Sequence, residues 1–520
     1  MDVNRRNRQT VYRYATELQF FAGLLWLSGS LLGWSMLASA ADTVTEASPV
    51  TFENCTIGTS GIQRQAECAT LDVPLDPSDP AQGMLALSVA RIESRRQSGN
   101  TDAITILAGG PGQSAIDMFP SVAFAFRHIM RDRDVILIDQ RGTGASTLLD
   151  CPEMNDAANL DSAVNLETDP QELTRQAKLC LETLPADPQL FTTSVAVMDL
   201  EAVRLQLGIS QWNLYGISYG TRVAAHYLKR YPDAVRTMIL DAVVPPQVSL
   251  GPDISRLAQD SLEHIFSRCE TDIGCNEAFG NLVAPTLELL DDLAERPRAI
   301  TYEDIASGQL TSREFTREHL AATLRLMSYS SQTAAILPSM LHEAIENDNL
   351  APFARQADIQ STSLSTSLAT GMHHAVICTE DVPFFADNMS DGQAGSSLAR
   401  RSYLGNDIVS AITATCQHWP AGRIDENFKE PLKSDKPTLV LSGGADPITP
   451  PAYGELVATH LSEVKHIVNE AQGHMQAAFG CMPVLMAQFV EQADADTLDT
   501  ACLERLKPTP FFVDANGPLP

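Results

Sequence analysis

The sequence predicts a mainly parallel α/β sheet with a helical insertion, and three observations carry that prediction. Short apolar, β-branched runs alternate with segments of helical periodicity over much of the chain. One such run, 212–215, passes into a helical segment through Gly216-Ile217-Ser218-Tyr219-Gly220. The alternation gives way to amphipathic helical stretches from about residue 248 to 436 and then resumes.

The elements follow in order. Arg5, Arg6, Arg8 and Arg13 precede an apolar run over 20–37 and the small residues Ala38-Ser39-Ala40, the pattern of a signal peptide at 1–40 cleaved before Ala41. An uncleaved anchor is the alternative, because the run is near the lower length for spanning a bilayer. No later segment is apolar enough to span one. Segments 71–76 and 84–92 read as early strands ahead of 105–107. The continuous apolar run inside 134–139 reads as a strand buried on both faces. Further strands are expected at 212–215, 237–240, 438–441 and 465–468, with helices at 197–207 and 221–229 between them. Within the insertion, helices are expected at 254–266, 282–294, 317–327 and 334–345. The expected organisation is a core in two parts, 41–247 and 437–507, a helical cap at 248–436 and an irregular tail at 508–520.

G-x-S-x-G between a strand and a helix is a nucleophile elbow, which holds a serine hydroxyl out of the sheet on a tight turn. A hydroxyl is a weak nucleophile at neutral pH and needs a base, itself oriented by an acid. The order serine, acid, histidine is that of the α/β-hydrolase fold. His474, behind Gly473 and after the 465–468 run, is the best base among eleven histidines. Asp446, in Gly443-Gly444-Ala445-Asp446-Pro447 after the 438–441 run, is the preferred acid, with Asp241 at the end of an earlier strand as its competitor. The oxyanion needs two backbone N–H donors. Tyr219 supplies one, and Gly109-Gly110-Pro111-Gly112 supplies the other from Gly110 or Gly109, since Pro111 has no N–H. The loop Asp139-Gln140-Arg141-Gly142-Thr143-Gly144 is expected to brace the site.

Ten cysteines fit an exported chain, and near-neighbour pairing gives 55–68, 151–180, 269–275, 378–416 and 481–502. A metal site from Cys378, Cys416, His418, His373 and His374 lacks the usual ligand spacings, so no metal or organic cofactor is expected. The net charge of −29 becomes about −31 once the four arginines, Asp2 and Glu17 of the leader are removed. Such a surface repels nucleic acid and anionic membranes.

The chain resembles the prolyl aminopeptidase and tripeptidyl aminopeptidase family of α/β-hydrolase serine peptidases. The resemblance rests on the oxyanion loop 109–112, the 139–144 loop, the elbow, the segment Gly443-Gly444-Ala445-Asp446-Pro447-Ile448-Thr449-Pro450 and Glu67-Cys68-Ala69-Thr70-Leu71-Asp72-Val73-Pro74-Leu75-Asp76. It implies Ser218, Asp446 and His474 as a triad and a peptide substrate cut near its free N-terminus. Ala108 stands where prolyl aminopeptidases carry a histidine, which leans toward the tripeptidyl branch. The resemblance also implies acidic cap residues for the substrate ammonium, for which Glu380, beside Cys378 and Asp381, is the candidate; a solvated acidic turn is the alternative. The expectation is therefore a periplasmic or secreted aminopeptidase with no nucleic-acid partner and no stable membrane partner after leader cleavage. A carboxylesterase with the same triad is the alternative, and a binding protein on this fold is a third reading.

Overall fold

A computed structural model describes residues 50–518 apart from 60, 97, 155–169, 306, 389–401 and 515. The leader and its cleavage site lie outside the described residues. Eleven strands are present among them: β1 (Glu53–Ile57), β2 (Arg64–Pro74), β3 (Met84–Ile92), β4 (Ala103–Leu107), β5 (Val135–Ile138), β6 (Trp212–Ile217), β7 (Val235–Asp241), β8 (Arg298–Glu303), β9 (Leu310–Phe315), β10 (Thr438–Gly443) and β11 (Val464–Asn469). Nine form one sheet in the order β1-β2-β3-β5-β4-β6-β7-β10-β11. The first three pair antiparallel, and from β5 to β11 every neighbour is parallel.

The inner parallel strands β5, β6 and β10 are buried on both faces, which is why they read as largely apolar runs, whereas the edge strand β11 is half-buried. On β6, Trp212 and Leu214 pack into one layer while Tyr215 and Ile217 pack into the other. The chain leaves β4 toward β5 and returns to β6 on β4's other side, so the strand order reverses there. A crevice outside the carboxyl ends of the strands opens at such a reversal, and loops leaving β4 and β6 meet in it.

Two elements depart from the sequence expectation. β1 is a short edge strand with mostly exposed side chains, giving little apolar alternation to read. Between β7 and β10 the helices are joined by an antiparallel hairpin, β8–β9, that the helical reading did not include. Most of its side chains face solvent, while Tyr302 and Phe315 enter the helical core and Ile300 packs against it. That core also takes in Ala445 and Ile448, so the inserted helices pack on the loop that carries Asp446. All five expected disulfides are formed. Among the described residues no helix is long and apolar enough to cross a membrane.

Arg141 anchors the 139–144 loop from inside the core, where it is fully buried. It donates to Asp199 at 2.6 and 2.7 Å and to the carbonyls of Leu75, Leu190 and Pro74. Removing the carboxylate strands a buried cation, so Asp199→Ala should lower unfolding stability by about 3–5 kcal/mol. Urea unfolding under non-reducing conditions, showing a midpoint well below the parent's, checks this.

Candidate active site

Ser218 sits between β6 and the helix Tyr219–Arg230 with φ 55 and ψ −124, a conformation that only tight packing sustains. The flanking glycines permit that packing. A Cβ on Gly216 would lie 2.5 Å from the Gly220 carbonyl oxygen, and one on Gly220 would lie 2.0 Å from that of Leu107. The Ser218 N–H donates to the Asp241 carbonyl at 3.0 Å, and its own carbonyl accepts from the Thr221 hydroxyl at 2.6 Å.

β10 stands beside β7 and β11 beside β10, all parallel to β6, so the loops leaving their carboxyl ends lie on the same edge of the sheet as the elbow. His474 Nδ1–H donates to Asp446 Oδ2 at 2.8 Å. The other Asp446 oxygen accepts from the N–H groups of Ile448 and Thr449 at 2.9 Å each, and the Thr449 hydroxyl donates to Oδ2 at 2.7 Å. The carboxylate is thereby fixed in a tight turn and aims one oxygen at the imidazole. Burial works against the imidazolium, but the charges of Asp446 and then Asp241 outweigh it, and His474 titrates above its ordinary value. The His474 N–H donates to the Tyr329 carbonyl at 2.7 Å, and the two rings meet edge to face at 5.2 Å. Tyr329 follows the inserted helix Arg317–Met327, so the insertion holds His474 directly.

Asp241, the competing acid, lies beneath this pair. Its carboxylate accepts from the Tyr215 hydroxyl and from the N–H groups of Gln476 and Ala477, and no hydrogen bond joins it to His474.

The expected oxyanion loop is pressed against the nucleophile: a Cβ on Gly109 would lie 3.2 Å from Ser218 Cβ. Tyr219 opens the helix after Ser218, where a backbone N–H has no partner within the helix. Its side chain is buried, with the hydroxyl 2.7 Å from Thr193 Oγ1 and accepting from Gln140 Nε2 at 3.1 Å. The 139–144 loop thus braces the residue whose main chain faces the site. Asp139 ties the same loop to the oxyanion loop's end, accepting from Ser114 Oγ at 2.7 Å and from the N–H of Ala145 at 3.0 Å.

A strap between the helices Ala351–Ser367 and Thr370–Glu380 covers the oxyanion loop. Leu368 pairs with Gln113 in a β-bridge, the Ala369 N–H donates to the Gly112 carbonyl at 3.0 Å, and His373 Nδ1 donates to the Pro111 carbonyl at 3.1 Å. Nothing in the periodicity of 351–380 signals the strap. Beside it lies a cavity of about 520 Å³ whose lining includes Gln113, Asp117, Ser365, Thr366 and Leu368.

Glu380 requires a correction. It is neither a solvated turn residue nor an acid open to a ligand: its side chain is 0% exposed, and its oxygens accept from the Thr193 N–H at 2.7 Å and hydroxyl at 2.9 Å. Arg222 lies 3.5 Å away and itself donates to Asp381 at 2.9 and 2.7 Å. Burial pushes the Glu380 carboxyl up to about 7 against the opposing Arg222 charge. The two acids lock the helix Thr370–Glu380 onto the nucleophile helix. Arg222 lies one turn past the elbow, and a cation there on a helix buried along its length was the overlooked signal. Cys378 and Cys416 are joined to each other and offer no thiolate ligand.

With the fold and site in place, the class is clear: the protein has the alpha/beta hydrolase fold and is a serine hydrolase. The alpha/beta hydrolase fold family matches residues 102–263, and the family described as TAP-like protein matches residues 401–502, the region that carries Asp446 and His474. Serine protease Hip1 of Mycobacterium tuberculosis is 24% identical over 76% of this chain and 79% of its own. Tripeptidyl aminopeptidase of Streptomyces lividans is 29% identical over 89% of this chain and 88% of its own. Carboxylesterase B of Mycobacterium tuberculosis is 31% identical over 48% of this chain and 52% of its own.

Gly109→Ala should keep the fold and lower kcat by about 10-fold, because the new methyl, 3.1 Å from Gln113 Oε1 and 3.2 Å from Ser218 Cβ, shifts the loop or the nucleophile slightly out of place. Steady-state kinetics beside an unchanged circular dichroism spectrum checks it.

Proposed function

We propose that the protein is an exported serine aminopeptidase, periplasmic or secreted, that releases short N-terminal units, of proline type or tripeptides, through an acyl-enzyme. The observation that carries the reading is the strained Ser218 at the elbow of the same sheet whose later loops carry the hydrogen-bonded His474–Asp446 pair. Likeness to a tripeptidyl aminopeptidase along 89% of the chain supports a peptide as substrate. The five disulfides support an oxidising compartment.

In this mechanism Ser218 Oγ attacks the scissile carbonyl while His474 takes its proton through Nε2, since Nδ1 is committed to Asp446. Asp446 holds the tautomer and stabilises the imidazolium. The N–H groups of Tyr219 and Gly110 receive the oxyanion, and His474 returns the proton to the leaving amine. Water then attacks the acyl-enzyme by the same route in reverse. A carboxylesterase remains the second reading, supported by the 31% identity to carboxylesterase B over half of the chain.

The deciding measurement uses chain beginning at Ala41 with Pro-anilide, Ala-Ala-Pro-anilide with free and acetylated N-termini, and a short-chain nitrophenyl ester. Anilide cleavage that requires the free amine is expected. Ester cleavage alone would transfer the assignment to carboxylesterase. Ser218→Ala should lose about 10⁴- to 10⁶-fold in turnover on any substrate cleaved.

The base must be neutral to accept a proton. With His474 held above its ordinary value of 6.5, kcat/KM should fall as pH drops through a limb above 6.5. Asp446→Asn should move that limb down and cost on the order of 10⁴ in kcat. A pH–rate profile of both proteins tests this.

A further inference from the structure

Asp241 is a fully buried carboxylate beside the site, and no step of the proposed mechanism uses it. Its oxygens accept from the Tyr215 hydroxyl at 2.8 Å, the Gln476 N–H at 2.8 and 2.9 Å and the Ala477 N–H at 2.8 Å. Its main-chain carbonyl accepts from the Ser218 N–H at 3.0 Å. Gln476 stands two residues beyond His474, with Met475 between them at φ 75. One residue at the end of β7 is therefore tied both to the backbone of the nucleophile and to the loop that presents the base.

We propose that Asp241 is a positioning residue: its carbonyl and carboxylate together set the relative placement of Ser218 and His474, and it presents a fixed negative charge behind the imidazole. This rests on His474 being the base, as argued above. Three donors converge on the carboxylate, and an ionised carboxyl is the side chain of this size that accepts on both oxygens. An amide would turn N–H groups toward at least one of those donors. Burial raises the Asp241 carboxyl to about 6, while the Tyr215 hydroxyl and the two backbone donors pull the other way. Around His474 stand Asp446 from the β10 loop, Asp241 from β7, and Arg325 and Tyr329 from the insertion. The two carboxylates favour the imidazolium, and Arg325 opposes it. Asp241 therefore adds to Asp446 in holding the acid limb of kcat/KM high. A residue that only held the loop's shape would lower kcat without moving that limb.

The test is a pH–kcat/KM profile for Asp241→Asn, with folding verified by near-ultraviolet circular dichroism and His474→Ala as reference. Asp241→Asn is expected to lower kcat/KM about 10- to 100-fold above the limb, mainly through kcat, and to move the limb down by about half a pH unit or more. A folded Asp241→Asn whose limb stays in place overturns the proposal. Tyr215→Phe removes one of the donors that favour the charged form of Asp241, so Asp241 takes up its proton at higher pH and the limb should move the same way by less. If Asp241→Asn does not fold, Tyr215→Phe decides, and an unmoved limb there overturns the proposal. Undiminished turnover in His474→Ala would instead remove the base assignment itself, and the proposal with it.

Discussion

Everything in the site depends on the close approach of β6, the end of β4 and the nucleophile helix, which only glycine at 216 and 220 permits. The distances of 2.5 and 2.0 Å from a would-be Cβ to neighbouring carbonyl oxygens leave no room for a methyl at either position. That contact holds Ser218 at positive φ, a conformation costing about 1–3 kcal/mol that the surrounding packing must offset. It also brings the helix start against the end of β4 and the loop that follows, so the strain at Ser218 and the meeting of these two segments share one origin. Once the Ser218 backbone is fixed, its N–H meets the Asp241 carbonyl and its carbonyl meets Thr221, and little of the turn is free to relax.

Two buried ion pairs extend this order outward. Arg141 with Asp199 pins the loop that braces Tyr219, and Arg222 with Asp381 pins the inserted helix to the nucleophile helix. Buried pairs contribute little net stability over apolar residues of the same size, because desolvation consumes the Coulomb attraction. What they do here is fix position, since each cation also donates to backbone carbonyls that apolar side chains would leave unmatched. The inserted region is accordingly part of the site. It supplies the carbonyl that holds the His474 N–H, and its strap lies on the oxyanion loop.

The central strands were legible because they are covered on both faces, and residues such as Val135, Ile136, Leu137 and Ile138 must all be apolar. The elbow was legible because its chemistry demands glycines at set offsets from the serine. Thr449 stood inside a motif already singled out, yet its bond to Asp446 depends on a turn that residue types do not specify. The strap over Pro111, the Tyr329 carbonyl and the partners of Glu380 were not legible. Each is a contact between segments far apart in the chain, through backbone groups that every residue carries or through a burial that composition does not reveal. A carboxylate beside a disulfide reads the same whether it meets a ligand, water or Thr193.

The two aspartates show how strand geometry separates roles that chain order leaves open. Both follow the serine and both end or follow a parallel strand. Asp241 is the last residue of β7, so its side chain stays level with the sheet and meets the backbone after His474. Asp446 lies three residues beyond the end of β10, on a turn closed by its own contacts to Ile448 and Thr449. That extra length lifts its carboxylate to the level of the imidazole, where it reaches Nδ1. Burial of Asp241 carries its carboxyl to about 6, and that burial comes from its place under the base. A carboxylate so enclosed has no room to rotate toward the ring without leaving three donors unmatched. The loop after β10 therefore brings its carboxylate to the imidazole, while the strand end after β7 bonds to the backbone of Ser218 and of Gln476.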